Sequence, residues 1–185
     1  QSCIYGPRQF GVEDQGWVAW FAIASMLGRD ITIFGDGKQV RDVLHVDDLL
    51  RAYEAAIRAP DKVTQQAFNV GGGPAQLLSL LELIEMLEHR LGRPIPLRFD
   101  DWRPGDQLVY VSDIRKLETT LGWKPEIDLK AGVAQLMDWV GRNLSAFQAP
   151  GVAAQDALMP NGDGHGPMAA GSKRSFDRSG LAETT

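Results

Sequence analysis

Residues 34–48 constrain the fold more than any other stretch of this chain. Ile31-Thr32-Ile33-Phe34 is β-branched and aromatic, the make-up of a strand. Asp36-Gly37 is a tight-turn signal, and Gln39 to Leu44 reads as the strand returning from it. Asp47 or Asp48 then caps a helix running to Ala59, whose face is Val46, Leu49, Leu50, Tyr53 and Ile57. Pro60 stops it. Strand alternation puts Gln39, Arg41 and Val43 on one side and Val40, Asp42 and Leu44 on the other. Arg41 therefore has two readings. It is a surface ion pair of little energetic value, or a guanidinium whose planar fork is held for a phosphate.

The flanking sequence gives an α/β fold. Ser2 to Tyr5 reads as a short buried strand, stopped by Gly6-Pro7. Gly16 to Leu27 reads as a helix apolar on all sides, from Trp17, Trp20, Phe21, Ala24, Leu27, Val18, Ile23 and Met26. Such a helix lies inside the protein or beneath a partner. Ala67 to Val70 reads as a fourth strand, followed by Gly71-Gly72-Gly73, a tight connection without the spacing of a nucleotide fingerprint. Ser79 and Glu82 make a capping box for a helix ending at Gly92. Pro94 to Phe99 and Val109 to Val111 are extended. Ser112 or Asp113 caps a helix that ends at Gly122, and Asp128 caps a last one reaching Leu144.

Composition narrows the functions. A net charge of −5 argues against a general nucleic-acid binder. One cysteine, Cys3, excludes an internal disulfide and a cysteine-built metal site, and fits a cytoplasmic protein. The most apolar run, Trp17 to Leu27, is too short for a bilayer, so no membrane partner is expected. From about Pro150 the large apolar residues thin out, and residues 151–185 are expected to be a disordered tail. His165, among glycines in that tail, lacks the paired ligands of a metal site. A second arginine, Arg103, sits in a Pro/Gly-shaped loop, with Asp106 to orient it. His45 follows a strand and precedes a helix cap, with no Ser or Cys nucleophile pattern beside it. The residues alone stop at an α/β segment with room for an anionic ligand.

Five segments in order carry a resemblance: Ile4 to Gln9, Gly35 to Asp48, Phe68 to Gly72, Arg103 to Gln107, and Leu121 to Pro125. Together they resemble the C-terminal half of the extended short-chain dehydrogenase/reductase family, the NAD-dependent nucleotide-sugar epimerases and dehydratases. Arg8 to Gly11, Asp14 to Phe21 and Gly37 to His45 are similar to its subgroup acting at C2 of a CDP-linked sugar. The resemblance implies that residues 1–150 are the substrate-binding part of a Rossmann-type enzyme. Arg41 and Arg103 would grip the nucleotide diphosphate, and Phe34 would lie along the base. Cys3 would face the sugar, and Gln15 would open the substrate region. Asp42 and Asp106 would orient the arginines.

The implied chemistry is oxidation at C2 by NAD and return of the hydride to the other face. The implied parent protein takes a nucleotide sugar, CDP-linked, and allows a homo-oligomer. The family's Gly-rich dinucleotide loop is absent. So is its Tyr-x-x-x-Lys, since Gln9, Ile57 and Ile114 follow Tyr5, Tyr53 and Tyr110 at that spacing. No catalytic residue is therefore assigned. The chain begins with Gln1 in strand-like sequence, which reads as a piece of a longer protein. By itself it is expected to bind NAD weakly, to turn nothing over and to be marginally stable.

Overall fold

The computed structural model describes residues 1–148. The expectations for residues 151–185 and His165 lie outside them. The chain runs β1 (Cys3–Tyr5), α1 (Trp17–Leu27), β2 (Ile31–Phe34), β3 (Val40–His45), α2 (Val46–Arg58), α3 (Pro60–Val63), β4 (Leu77–Ser79), α4 (Leu80–Leu91), β5 (Leu97–Asp100), β6 (Val109–Tyr110), α5 (Arg115–Leu121), α6 (Leu129–Arg142) and α7 (Leu144–Gln148). β3 is the hub of one sheet. β1 and β6 run parallel to it and β4 antiparallel.

The expected return strand joins a different sheet. β2 pairs in parallel with β5, from Ile31 opposite Leu97 to Phe34 opposite Asp100, and Gly35 N–H extends that ladder to Asp100 C=O (2.9 Å). Asp36-Gly37 still turns the chain, with Asp36 Oδ1 accepting from Lys38 N–H (2.9 Å). Gly35 (φ 86) and Gly37 (φ 74) both adopt left-handed backbone there and carry the chain out of one sheet into the other. The turn signal is local, whereas the choice of strand partner is not.

α1 lies inside the protein. Val18 to Ser25 are all buried, and the helix packs against α4 and α6, with Trp20, Phe21, Leu83, Leu87, Leu136 and Val140 in one core. An exposed interaction surface on this helix is thereby ruled out. The capping box at Ser79 and Glu82, the Asp128 cap and the left-handed stops at Gly92 and Gly122 form as expected, and Gly28 ends α1 in the same way.

Five expectations change. Ala67 to Val70 forms no strand, and its link to β1 is a bond from Ser2 N–H to Val70 C=O (3.0 Å). α2 is capped by His45 rather than an aspartate, with Nδ1 accepting from Asp47 N–H (3.3 Å). Its inner face is Asp48, Leu49 and Ala52, while Leu50, Tyr53 and Ile57 are exposed, because Asp48 is drawn inward to bind the 123–127 loop. Ile114 takes the cap position of α5, and Asp113 binds Arg115 instead. The last helix breaks at Asn143, whose side chain donates to Trp139 C=O (2.8 Å), so that Leu144 starts α7.

The triple glycine is a close-packed connection. A Cβ on Gly72 would stand 2.1 Å from Val43 O and 2.6 Å from Gln76 Cβ. Because the first obstacle is the backbone of β3, little can yield. Gly72→Ala is expected to cost about 3 kcal/mol, read as a shift of the urea midpoint. Among the described residues no helix is long and apolar enough to cross a membrane.

Candidate functional site

A cavity of about 380 Å³ lies where β1, the start of α1, the end of β2, the start of β3 and the 103–106 loop meet. Cys3, Phe34, Arg41 and Arg103 all line it. Gln15 does not, although its neighbours Asp14 and Gly16 do. Gln15 instead closes a small turn through paired backbone bonds with Val12 (2.9 and 3.0 Å).

Arg41 is held on β3 between Leu78 of β4 and Tyr110 of β6. Its Nη2 donates to Asp106 Oδ1 (2.7 Å) and its Nη1 to Val40 C=O (3.0 Å). The other oxygen of Asp106 accepts from Gln39 Nε2 (3.3 Å), which also donates to Phe34 C=O. The Arg41 side chain is 16% exposed and that of Asp106 28%. This is a part-buried, cross-braced pair rather than a loose surface one. A guanidinium fixed in this way presents its fork at little further entropic cost.

Arg103 reaches the same cavity from the opposite loop. Its Cζ sits 3.9 Å from the centre of the Phe34 ring, and its Nη2 pairs with Asp14 Oδ1 at 2.9 Å. The expected orienting pairs are thus partly exchanged. Asp106 serves Arg41, and Arg103 takes Asp14, which the sequence reading did not single out. Asp42 orients neither arginine. Alternation along β3 turns it to the far side, where it is buried and accepts from Ser2 Oγ (2.6 Å) and Gly73 N–H (3.0 Å). Gln39 was also missed, and its place on the Arg41 side of β3 was the available signal.

Cys3 is half-buried, and burial pushes its thiol above the ordinary value. It stays protonated at neutral pH and borders the cavity. His45 lies outside the cavity lining. Its Nδ1 accepts the Asp47 N–H, which places the proton on Nε2, buried and unpaired among the described residues. The Tyr5 ring packs against it nearly at right angles, with ring centres 5.5 Å apart.

Burial lowers the His45 pKa below its ordinary 6.5, against the opposing pull of Asp47 and Asp48. The unfolded chain then binds more protons than the folded one between that lowered value and 6.5. Stability should therefore fall as pH drops through 6.5 and level off below the folded value. His45→Asn, which keeps a capping side chain, should show a smaller loss between pH 7.5 and 5.5 in urea titrations.

Residues 2–71 match the profile of the NAD dependent epimerase/dehydratase family. CDP-paratose 2-epimerase of Salmonella typhi is 42% identical over 145 residues, which cover 75% of this chain and 42% of that protein. The chain belongs to this family. A putative UDP-glucose 4-epimerase of Methanocaldococcus jannaschii is 33% identical over 142 residues, 77% of this chain and 44% of that one.

The fold of this family member matches UDP-glucuronic acid 4-epimerase from Bacillus cereus, solved with UDP-glucuronic acid and NAD. The TM-score is 0.68 at 31% identity, over 77% of this chain and 44% of that one. It also matches UDP-glucose 4-epimerase from Thermotoga maritima, solved with UDP-glucose, with a TM-score of 0.67 at 30% identity over 77% and 45%. The chain spans less than half the length of these relatives.

The residues present do not fit the dinucleotide. Neither the Gly-rich loop nor Tyr-x-x-x-Lys occurs in the sequence. The glycine run after Val70 is not a phosphate cradle either, because the Gly73 amide is already taken by the Asp42 carboxylate. No step through NAD is derived from these residues.

Proposed function

We propose that residues 1–150 form the substrate-binding part of an NAD-dependent nucleotide-sugar epimerase, gripping the nucleotide diphosphate between Arg41 and Arg103. The observation that carries this reading is that two guanidiniums from separate elements line one cavity, each already held in place. Arg41 is braced by Asp106 and Arg103 is stacked on Phe34. Bidentate forks suit phosphate oxygens. Phe34 stands at the end of β2, where a base would pass, and Cys3 borders the same space. Gln15 enters the proposal through the turn that carries Asp14 and Gly16 to the wall.

The nucleotide we infer is CDP, and the parent reaction is epimerization at C2. The similarity to CDP-paratose 2-epimerase supports this. The cellular place we infer is the cytoplasm. This chain alone holds a substrate without transforming it, since it lacks the residues that would grip the cofactor.

A second reading keeps the site and changes the nucleotide, because UDP-glucose 4-epimerases and dTDP-glucose 4,6-dehydratases are also similar. Calorimetric titration of the 185-residue chain separates them. CDP should bind more tightly than UDP or dTDP, and NAD should show no stoichiometric binding. A preference for UDP or dTDP would favour the second reading, and a stoichiometric NAD isotherm would overturn the assignment of this chain as a substrate-side part.

A further inference from the structure

We propose that Asp14 is a built-in competitor of the ligand's diphosphate: an acidic clasp that occupies Arg103 in the empty pocket and is displaced when an anionic ligand enters. The inference rests on the proposed diphosphate site and deepens it by naming a residue that sets its affinity.

Charge favours displacement. The cavity lining holds two arginines, Arg41 and Arg103, against three acids, Glu13, Asp14 and Asp106. A lining with more carboxylates than guanidiniums opposes a diphosphate unless a carboxylate withdraws.

Geometry separates the two carboxylates that pair with the arginines. Asp106 is bound twice, to Arg41 and to Gln39, and its own N–H donates to Arg103 C=O (3.1 Å). Its side chain is only 28% exposed. Asp14 is 72% exposed and meets Arg103 at 2.9 Å from the small turn closed by Val12 and Gln15. An exposed pair of this kind is weak and salt-sensitive. Its release does not free Arg103, because the Phe34 ring still holds the guanidinium at 3.9 Å. The clasp therefore exchanges one anion for another at an arginine that stays in place. It also ties the 11–16 segment to the 103–106 loop only while the pocket is empty.

The test is calorimetric titration of CDP into the full 185-residue chain at about 0.05 M and about 0.5 M salt. Asp14→Asn should bind roughly three- to tenfold more tightly than the parent chain at low salt, by the size of an exposed pair plus the removed repulsion. The gain should shrink at high salt. Asp14→Glu, which retains the charge, should behave like the parent. In an Arg103→Ala background Asp14→Asn should bring no gain. Asp14 is exposed, so these variants keep the fold.

Equal or weaker binding by Asp14→Asn overturns the clasp and makes Asp14 a positioning residue for Arg103. A gain that persists without Arg103 also overturns it, since bulk charge then accounts for the effect. If Arg41→Ala and Arg103→Ala both leave CDP affinity unchanged, the diphosphate site itself fails, and the clasp with it. If they weaken binding while Asp14→Asn changes nothing, only the clasp fails.

Discussion

Arg41→Ala is expected to weaken CDP binding on the order of 100-fold, equivalent to about 2.7 kcal/mol. The size follows from what the substitution leaves behind. Arg41 is largely buried and its partner Asp106 is held by Gln39 on the other side. Without the guanidinium, Asp106 remains in the pocket as an uncompensated carboxylate facing an incoming diphosphate. Truncating one partner of such a pair costs about 2–5 kcal/mol, much of it from the charge left unpaired. Arg41→Lys should recover part of the affinity, because it restores the charge but not the fork. Titration of each variant reads the effect. A structural ion pair would give a different pattern, with lower stability and unchanged nucleotide affinity.

Asp48→Ala should destabilise the fold by about 3–5 kcal/mol, more than the loss of any carboxylate in the pocket wall. Asp48 is 1% exposed. Its Oδ2 accepts the N–H groups of Glu126 (3.2 Å) and Ile127 (3.1 Å), and its Oδ1 pairs with Arg51. Its own carbonyl accepts the Trp123 indole N–H (3.0 Å). One residue thus ties α2 to the loop between α5 and α6 and seats Trp123 among Leu44, Leu49, Ile114 and Leu117. Alanine leaves two loop backbone donors without their acceptor and takes one carboxylate from Arg51, which keeps Glu126 (2.9 Å) and the Lys124 carbonyl (3.1 Å). Asp48→Asn keeps an acceptor oxygen and should lose roughly half as much. Equilibrium denaturation reads both. Because Asp48 lies outside the pocket lining, CDP affinity of the folded fraction should not change.

What could be read from the sequence follows the range of each interaction. The α4 capping box, the glycine stops and the all-round apolar α1 are set within a few residues, and all were legible. The partner of β2 was not, because Asp36-Gly37 specifies a bend and not the strand that β2 meets. Val46, Leu50, Tyr53 and Ile57 have helical spacing, yet α2 turns Asp48 inward, because a distant loop supplies the donors that satisfy it. In the pocket, alternation correctly put Gln39 and Arg41 on one side of β3 and Asp42 on the other. Charge pairing was harder to read. Asp106 stands near Arg103 in sequence but reaches across to Arg41, and Arg103 finds Asp14 far up the chain. Side chains that meet only after folding leave no spacing to read.

A nucleotide diphosphate held between Arg41 and Arg103 is tested most directly by a crystal structure of this chain with CDP. The expected result is a diphosphate with oxygens about 3 Å from both guanidiniums, the base beside Phe34, and Asp14 no longer bonded to Arg103. CDP seated elsewhere, for example in the groove of Gln76, Asp113 and Lys124, with both arginines still on their carboxylates, would contradict it.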